Sequence, residues 1–247
     1  MTNSTSTQMN TNRKNARWAG IFYIVATVAP ILTFPFIGFL GGGVAGEPIP
    51  DYLVNVSPNE SQVIIGMLIE WIYALAVVGI IATLLPILKK HNEALALGFS
   101  GLRFIEAVCA IVGSIGLLTL LTLSQELAKA GAPGDSYFQT VGTAVLAIRD
   151  WAFMIGSGLV WSLSALILNY ILYQSKLIPR WLSGWGLVGA TLSFAVYLLQ
   201  FFSINLGDIL FHPIALQEMV FALWLIVKGF NSSAIATLST KTDTNKG

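Results

Sequence analysis

Four charged side chains stand well inside otherwise apolar runs of this chain, away from their ends: Glu70, Arg103, Glu106 and Glu218. A charged group at the centre of a bilayer costs about 2.5–3.5 kcal/mol on insertion scales, so such groups turn toward one another rather than toward lipid. Arg103 and Glu106 are i and i+3 and share one face of a helix. At 1.5 Å per residue, Glu70 falls about 10 Å, Glu218 about 8 Å and Glu106 about 12 Å from the same membrane edge, with Arg103 one turn deeper. The expectation is a single outward-opening pocket in which three carboxylates meet over one guanidinium. With all four groups ionised the pocket carries excess negative charge, which a proton or a bound cation neutralises. That chemistry suits binding or transport of a small solute, proton or cation. The alternative is an ion-pair network that only locks the helices together, as in a non-catalytic scaffold or accessory subunit.

Arg149 and Asp150 sit where a fourth apolar run begins. They read as the rim or gate of the pocket, or as a pair snorkelling at the interface. Asp150, Met154, Ser157, Trp161 and Ser164 follow helical spacing and line one face. Tyr197 and Gln200 are candidate hydrogen-bond donors to the pocket. Gly113 with Gly116, Gly156 with Gly158, and Gly184, Gly186 and Gly189 are the small residues that let membrane helices approach closely.

Other chemistries lack their residues. His91 and His212 fall on opposite sides of the membrane, and no two-histidine metal spacing occurs. Asp208 and His212 make at most a local pair. Cys109 is the only cysteine, which excludes a disulfide framework and a cysteine-rich zinc site. No metal, cofactor or nucleic-acid partner is expected. An intramembrane hydrolase using Glu70 or Glu106 ranks third, for want of a nucleophile or metal.

The elements that must position these groups follow from composition. The chain has 247 residues, of which 55% are hydrophobic and 10% charged, with a mean hydropathy of +0.74. A soluble domain carries about 25% charged residues. Six apolar runs are long enough to cross a bilayer, a length of about 20 residues. They extend from Ala16 to Leu40, Val63 to Leu88, Ala94 to Leu123, Trp151 to Tyr173, Trp181 to Phe202 and Pro213 to Phe230. The first is too long for a signal-peptide core, although Val44-Ala45-Gly46 mimics a cleavage site. The segment from Tyr137 to Ile148 is either a surface helix or an extension of the fourth span. Pro30 and Pro86 are expected kink sites.

Basic residues gather on one side: Arg13, Lys14, Arg17, Lys89, Lys90, Lys176, Arg180, Lys228, Lys241 and Lys246. The other side has Lys129, with Arg149 at a helix edge. By the positive-inside rule both termini are cytoplasmic. The expected fold is therefore an all-α integral membrane bundle of six transmembrane helices over residues 16–230, N-in/C-in. Disordered cytoplasmic tails are expected at 1–15 and 231–247. The lipid bilayer is one partner and a small-molecule or cation ligand the other, with the oligomeric state open.

Several short motifs follow one another along the chain: Arg17-x-Ala19-Gly20-x-x-Tyr23, Arg103-x-x-Glu106, Ser175-x-x-Ile178-Pro179-Arg180 leading to Gly186 and Gly189, and Pro213 with Glu218, Trp224-Leu225 and Lys228-Gly229. In these the chain resembles a bacterial integral-membrane family known as domain of unknown function 4386, from Arg17 to Phe230. The resemblance implies a helical bundle in a bacterial inner membrane and no particular reaction.

Overall fold

Asn92 starts the longest helix, its side-chain oxygen accepting the Leu95 N–H at 3.0 Å. Glu93 occupies the first turn and Lys129 the last, each complementing the helix dipole. Gly131 ends the helix in a left-handed conformation at φ +62°, where a side chain would be strained. In the computed structural model, which describes residues 2–41, 51–131, 136–204 and 206–235, this helix is α4, Glu93–Ala130.

The other helices are α1 (Thr2–Ile37), α2 (Tyr52–Val56), α3 (Glu60–Leu88), α5 (Ser136–Phe153), α6 (Trp161–Ser175), α7 (Arg180–Gln200) and α8 (His212–Val227). A π-helical segment, Met154–Val160, joins α5 to α6 without a break in the rod. Among the described residues six stretches are long and apolar enough to cross a membrane: Asn10–Leu40, Tyr52–Leu88, Glu93–Ala130, Tyr137–Ser175, Arg180–Gln200 and Ile209–Val227. The six expected spans are thus present. The ambiguous segment from Tyr137 lengthens the fourth span instead of lying across the surface. Pro30 and Pro35 lie inside α1 and Pro86 inside α3.

The spans close into a ring, each packed on the next in the order α1, α3, α4, α6, α7, α8 and back to α1. Large apolar side chains such as Ile31, Phe34, Leu75 and Val188 face outward and are exposed, as a lipid-facing surface requires. The interior carries a core that includes Tyr23, Ile80, Leu84, Phe99, Leu168, Leu182 and Phe221. At 38 residues, α4 is about 57 Å long, well beyond a bilayer core of about 30 Å. Its C-terminal part and α5 hold a second apolar cluster with α2, built on Tyr52, Leu53, Val56, Leu120, Leu127 and Leu146. This end is called distal below. The proximal end holds the α3–α4 and α6–α7 loops.

Both tails differ from expectation where they are described. Helix α1 already begins at Thr2, and Asn12 and Ala16 are buried, so a packed helix replaces the last turns of the expected flexible leader. At the other end the Asn231 N–H bonds the Leu177 carbonyl at 2.9 Å, and Phe230, Ala234 and Ile235 pack on the core. Residues 42–50, which hold the cleavage-like Val44-Ala45-Gly46, and 236–247, which hold Lys241 and Lys246, lie outside the described residues.

Candidate functional site

Helix α4 carries Arg103 and Glu106 on its inward face, one turn apart, and both are buried, at 2% and 0% exposure. The Nη1 of Arg103 donates to Glu106 Oε1 at 3.3 Å and Oε2 at 3.2 Å. Its Nη2 lies 3.3 Å from the Tyr23 hydroxyl of α1 and 3.5 Å from Glu218 Oε1 of α8. The guanidinium also stands over the Tyr23 and Phe99 rings, 5.5 and 5.8 Å from their centroids. The Arg103 Nε–H is buried and meets no acceptor among the described residues.

Two neighbouring elements complete the cluster. Tyr73 of α3 donates its hydroxyl to Glu106 Oε1 at 2.6 Å, and Ser157 of the π segment lies 3.3 Å from that hydroxyl. Trp161, the first residue of α6, donates its indole N–H to Glu218 Oε1 at 3.3 Å. Five of the six spans therefore meet at one point. Small residues make the approach possible. A Cβ on Gly156 would stand 2.3 Å from Cys109 Cβ, and one on Gly158 would stand 2.7 Å from the Tyr197 ring. The π segment inserts its extra residue here, next to the charged groups, a common position for such bulges.

Glu70 does not join this cluster. It pairs with Arg149 of α5, whose Nη1 lies 3.1 Å from Glu70 Oε2 and whose Nη2 bonds Glu70 Oε1. The Ser114 hydroxyl donates to Glu70 Oε2 at 3.0 Å, and Arg149 Nη1 also donates to the Gly113 carbonyl at 2.9 Å. Both side chains are 15% exposed. On α4, Ser114 stands eight residues beyond Glu106, about 12 Å along the axis. The single pocket of three carboxylates is thus corrected to two clusters, one central and one toward the distal end.

The physical reason is the extra length of α5. Because that helix continues past the expected start of the fourth span, Arg149 lies against α4 rather than at a rim. Gly113 and Gly116 face it: Cβ atoms there would stand 3.6 Å from Arg149 Nη1 and 3.4 Å from its Cβ, ordinary van der Waals contact. The guanidinium then has a second partner to offer Glu70. Asp150 follows on α5, half-buried and with an interaction of its own.

The remaining candidates divide. Ser157 and Trp161 reach the central cluster as their helical spacing suggests, and Ser164 bonds the Trp161 carbonyl at 2.8 Å. Met154 is buried. Tyr197 stacks on Phe211 at 4.7 Å between centroids, and Gln200 Oε1 is buried with no partner among the described residues. His212 contacts the Ile209 carbonyl at 3.2 Å, and the Asp208 side chain lies outside the described residues. Among the described residues no group of three metal-ligating side chains occurs.

Four participants were missed from sequence. Tyr73 follows Glu70 by three residues, a spacing that was available as a signal. Tyr23 lies within the first motif. Gln217 and Asn169 had no signal. Gln217 lies next to Glu218 on α8 and donates to Asn169 Oδ1 at 3.3 Å and to the Leu182 carbonyl at 3.2 Å, tying α6, α7 and α8.

Chemically, the distal pair is balanced, with one guanidinium for one carboxylate. The central cluster is not, since Arg103 serves both Glu106 and Glu218. Residues 18–229 match the model of a family described as Domain of unknown function (DUF4386), the one whose motifs the sequence carries. No curated protein and no solved structure matches the chain.

Proposed function

This chain belongs to the DUF4386 family, a membership that brings no reaction with it, and we propose that it is a polytopic membrane protein binding a proton or small cation at Arg103, Glu106 and Glu218. The observation that carries the reading is the charge count of the central cluster. One guanidinium at 2% exposure faces carboxylates at 0% and 8%. A buried ion pair that serves packing alone is complete with one acid and one base. The second carboxylate leaves a negative charge in a region where nothing screens it, and a positively charged species is its complement. Binding of this kind drives movement of a solute or proton when the site opens alternately to the two faces.

Glu70 and Arg149 form the distal lock of this site. They close the α3–α4–α5 seam on that side, and access from the distal face requires them to part. Both termini are cytoplasmic and the host is a bacterial inner membrane. The support is the distribution of lysine and arginine, with Arg13, Lys14, Arg17, Lys89, Lys90, Lys176, Arg180 and Lys228 at the proximal end and Lys129 at the distal end.

A scaffold role is the second reading. It is favoured by how fully Glu106 is satisfied, by Arg103 and by the Tyr73 hydroxyl at 2.6 Å. The two readings part on ligand response. A species that binds only the folded state raises its stability by mass action. Thermal unfolding of the purified full chain in detergent, titrated with acid, sodium and potassium, is expected to shift with at least one of them. Glu106→Gln and Glu218→Gln are expected to remain folded and lose that shift. An unfolding temperature indifferent to all three in the unaltered protein assigns the cluster to packing alone.

A further inference from the structure

The two carboxylates of the central cluster are not equivalent. Glu106 receives three hydrogen bonds, from Arg103 Nη1 on both oxygens and from Tyr73 on Oε1, at 3.2–3.3 Å and 2.6 Å. That is the environment of an ionised carboxylate, because each donor strengthens with the charge on the acceptor. Glu218 is served far less. Among the described residues both its polar contacts fall on Oε1, the Trp161 indole at 3.3 Å and Arg103 Nη2 at 3.5 Å. The latter is an ion-pair distance beyond ordinary hydrogen-bond length.

The species that neutralises the cluster must also fit. A metal cation needs several oxygen ligands converging from different directions. Here the Arg103 guanidinium already lies between the two carboxylates, and no metal-ligating trio exists among the described residues. A proton needs no cavity and no coordination shell, only a free carboxylate oxygen.

Resting on the function proposed above, we infer that the ligand of the central site is a proton, held on Glu218 at Oε2, while Glu106 stays ionised against Arg103. The groups facing the pair leave the assignment with Glu218. Tyr23 of α1 and Tyr73 of α3 present phenols, and Arg103 is the one cation contributed by α4. Cys109, on the next turn of α4 after Glu106, is a thiol packed against Gly156. The π segment and α6 offer the neutral Ser157 and Trp161, and α7 has no charged residue from Trp181 to Gln200. The site is thereby a one-proton store at the meeting point of five spans.

Infrared difference spectroscopy of the full chain in phosphatidylethanolamine–phosphatidylglycerol vesicles tests this. The unaltered protein near neutral pH is expected to show the carbonyl stretch of one protonated carboxyl, identified by its shift in D2O. Glu218→Asp should displace that band, Glu106→Asp should leave it in place, and Glu218→Gln should remove it. The two Asp variants keep charge and hydrogen bonding, so the assignment survives if the Gln variant fails to fold. Absence of the band, or its displacement by Glu106→Asp alone, overturns the inference. If the band is absent while sodium or potassium raises the unfolding temperature, the binding function stands and only the proton is wrong. If neither response appears, both fail.

Discussion

Removing the Arg103 guanidinium would leave the ionised Glu106 without its cation in a buried site. Breaking a buried pair by deleting one partner costs about 3–5 kcal/mol. Arg103→Leu is expected to lower stability by that amount, read by chemical unfolding in detergent. The triple variant Arg103→Leu, Glu106→Gln, Glu218→Gln should recover a large part of it, since no uncompensated charge remains. The distal pair follows the same logic at smaller scale, because both side chains keep 15% exposure. Arg149→Gln and Glu70→Gln should each cost about 1–2 kcal/mol, discounted for partial solvent screening. A double-mutant cycle should return a coupling of about 1 kcal/mol. Coupling indistinguishable from zero would mean that the pair is not made. His91, in the α3–α4 loop, has its pKa lowered by burial first and by Lys90 second. Its neutral form is the one the fold favours. Its contribution is therefore complete above the unfolded value of about 6.5 and is lost as pH falls through the lower folded value. His91→Gln is expected to flatten that acid limb in a pH series of unfolding curves.

Among the elements, the π segment Met154–Val160 is the one whose geometry the site needs most. It points Ser157 at Tyr73 and starts α6 so that Trp161 reaches Glu218. Its closeness to α4 depends on a glycine: a Cβ on Gly156 would lie 2.3 Å from Cys109 Cβ. Gly156→Ala is expected to destabilise by about 1–3 kcal/mol, the usual cost of overpacking. Because the clash is between Cβ atoms, Cys109→Ala should not rescue it and Cys109→Gly should do so in part. Equal stability of the Gly156→Ala protein with and without Cys109→Gly would place the strain elsewhere. A similar restriction holds α1 to α8, where a Cβ on Gly20 would stand 2.5 Å from the Ala222 carbonyl oxygen. Tyr23 lies one turn along from Gly20, so that close approach is also what brings the phenol to Arg103.

For the whole molecule, the ring of spans sets two ends, and orientation decides which one meets the cytoplasm. The proximal end is expected to face inward. In a Cys109→Ser background, Ala130→Cys on the exposed end of α4 should react with a membrane-impermeant maleimide in spheroplasts. Lys90→Cys should react only after the membrane is opened. The reverse pattern would invert the orientation and make the Glu70–Arg149 lock cytoplasmic.

How much of this was legible in the residues depends on the range of the force concerned. Six spans and the burial of Arg103, Glu106 and Glu218 follow from local hydropathy and from the cost of charge in hydrocarbon, which act wherever a residue sits along the helix. The i, i+3 contact of Arg103 with Glu106 follows from helical geometry alone. The partner of Glu70 does not, because depth places a side chain along the membrane normal but says nothing of its direction around the ring. That direction was decided by packing: α5 begins well before the expected start of its span, which sets Arg149 against α4 beside Gly113 and Gly116. Residue types and spacing determined that acids and bases had to meet inside a helical bundle. Only the tertiary structure, through the way the helices pack, decided which acid meets which base and so which cluster holds one acid more than its bases.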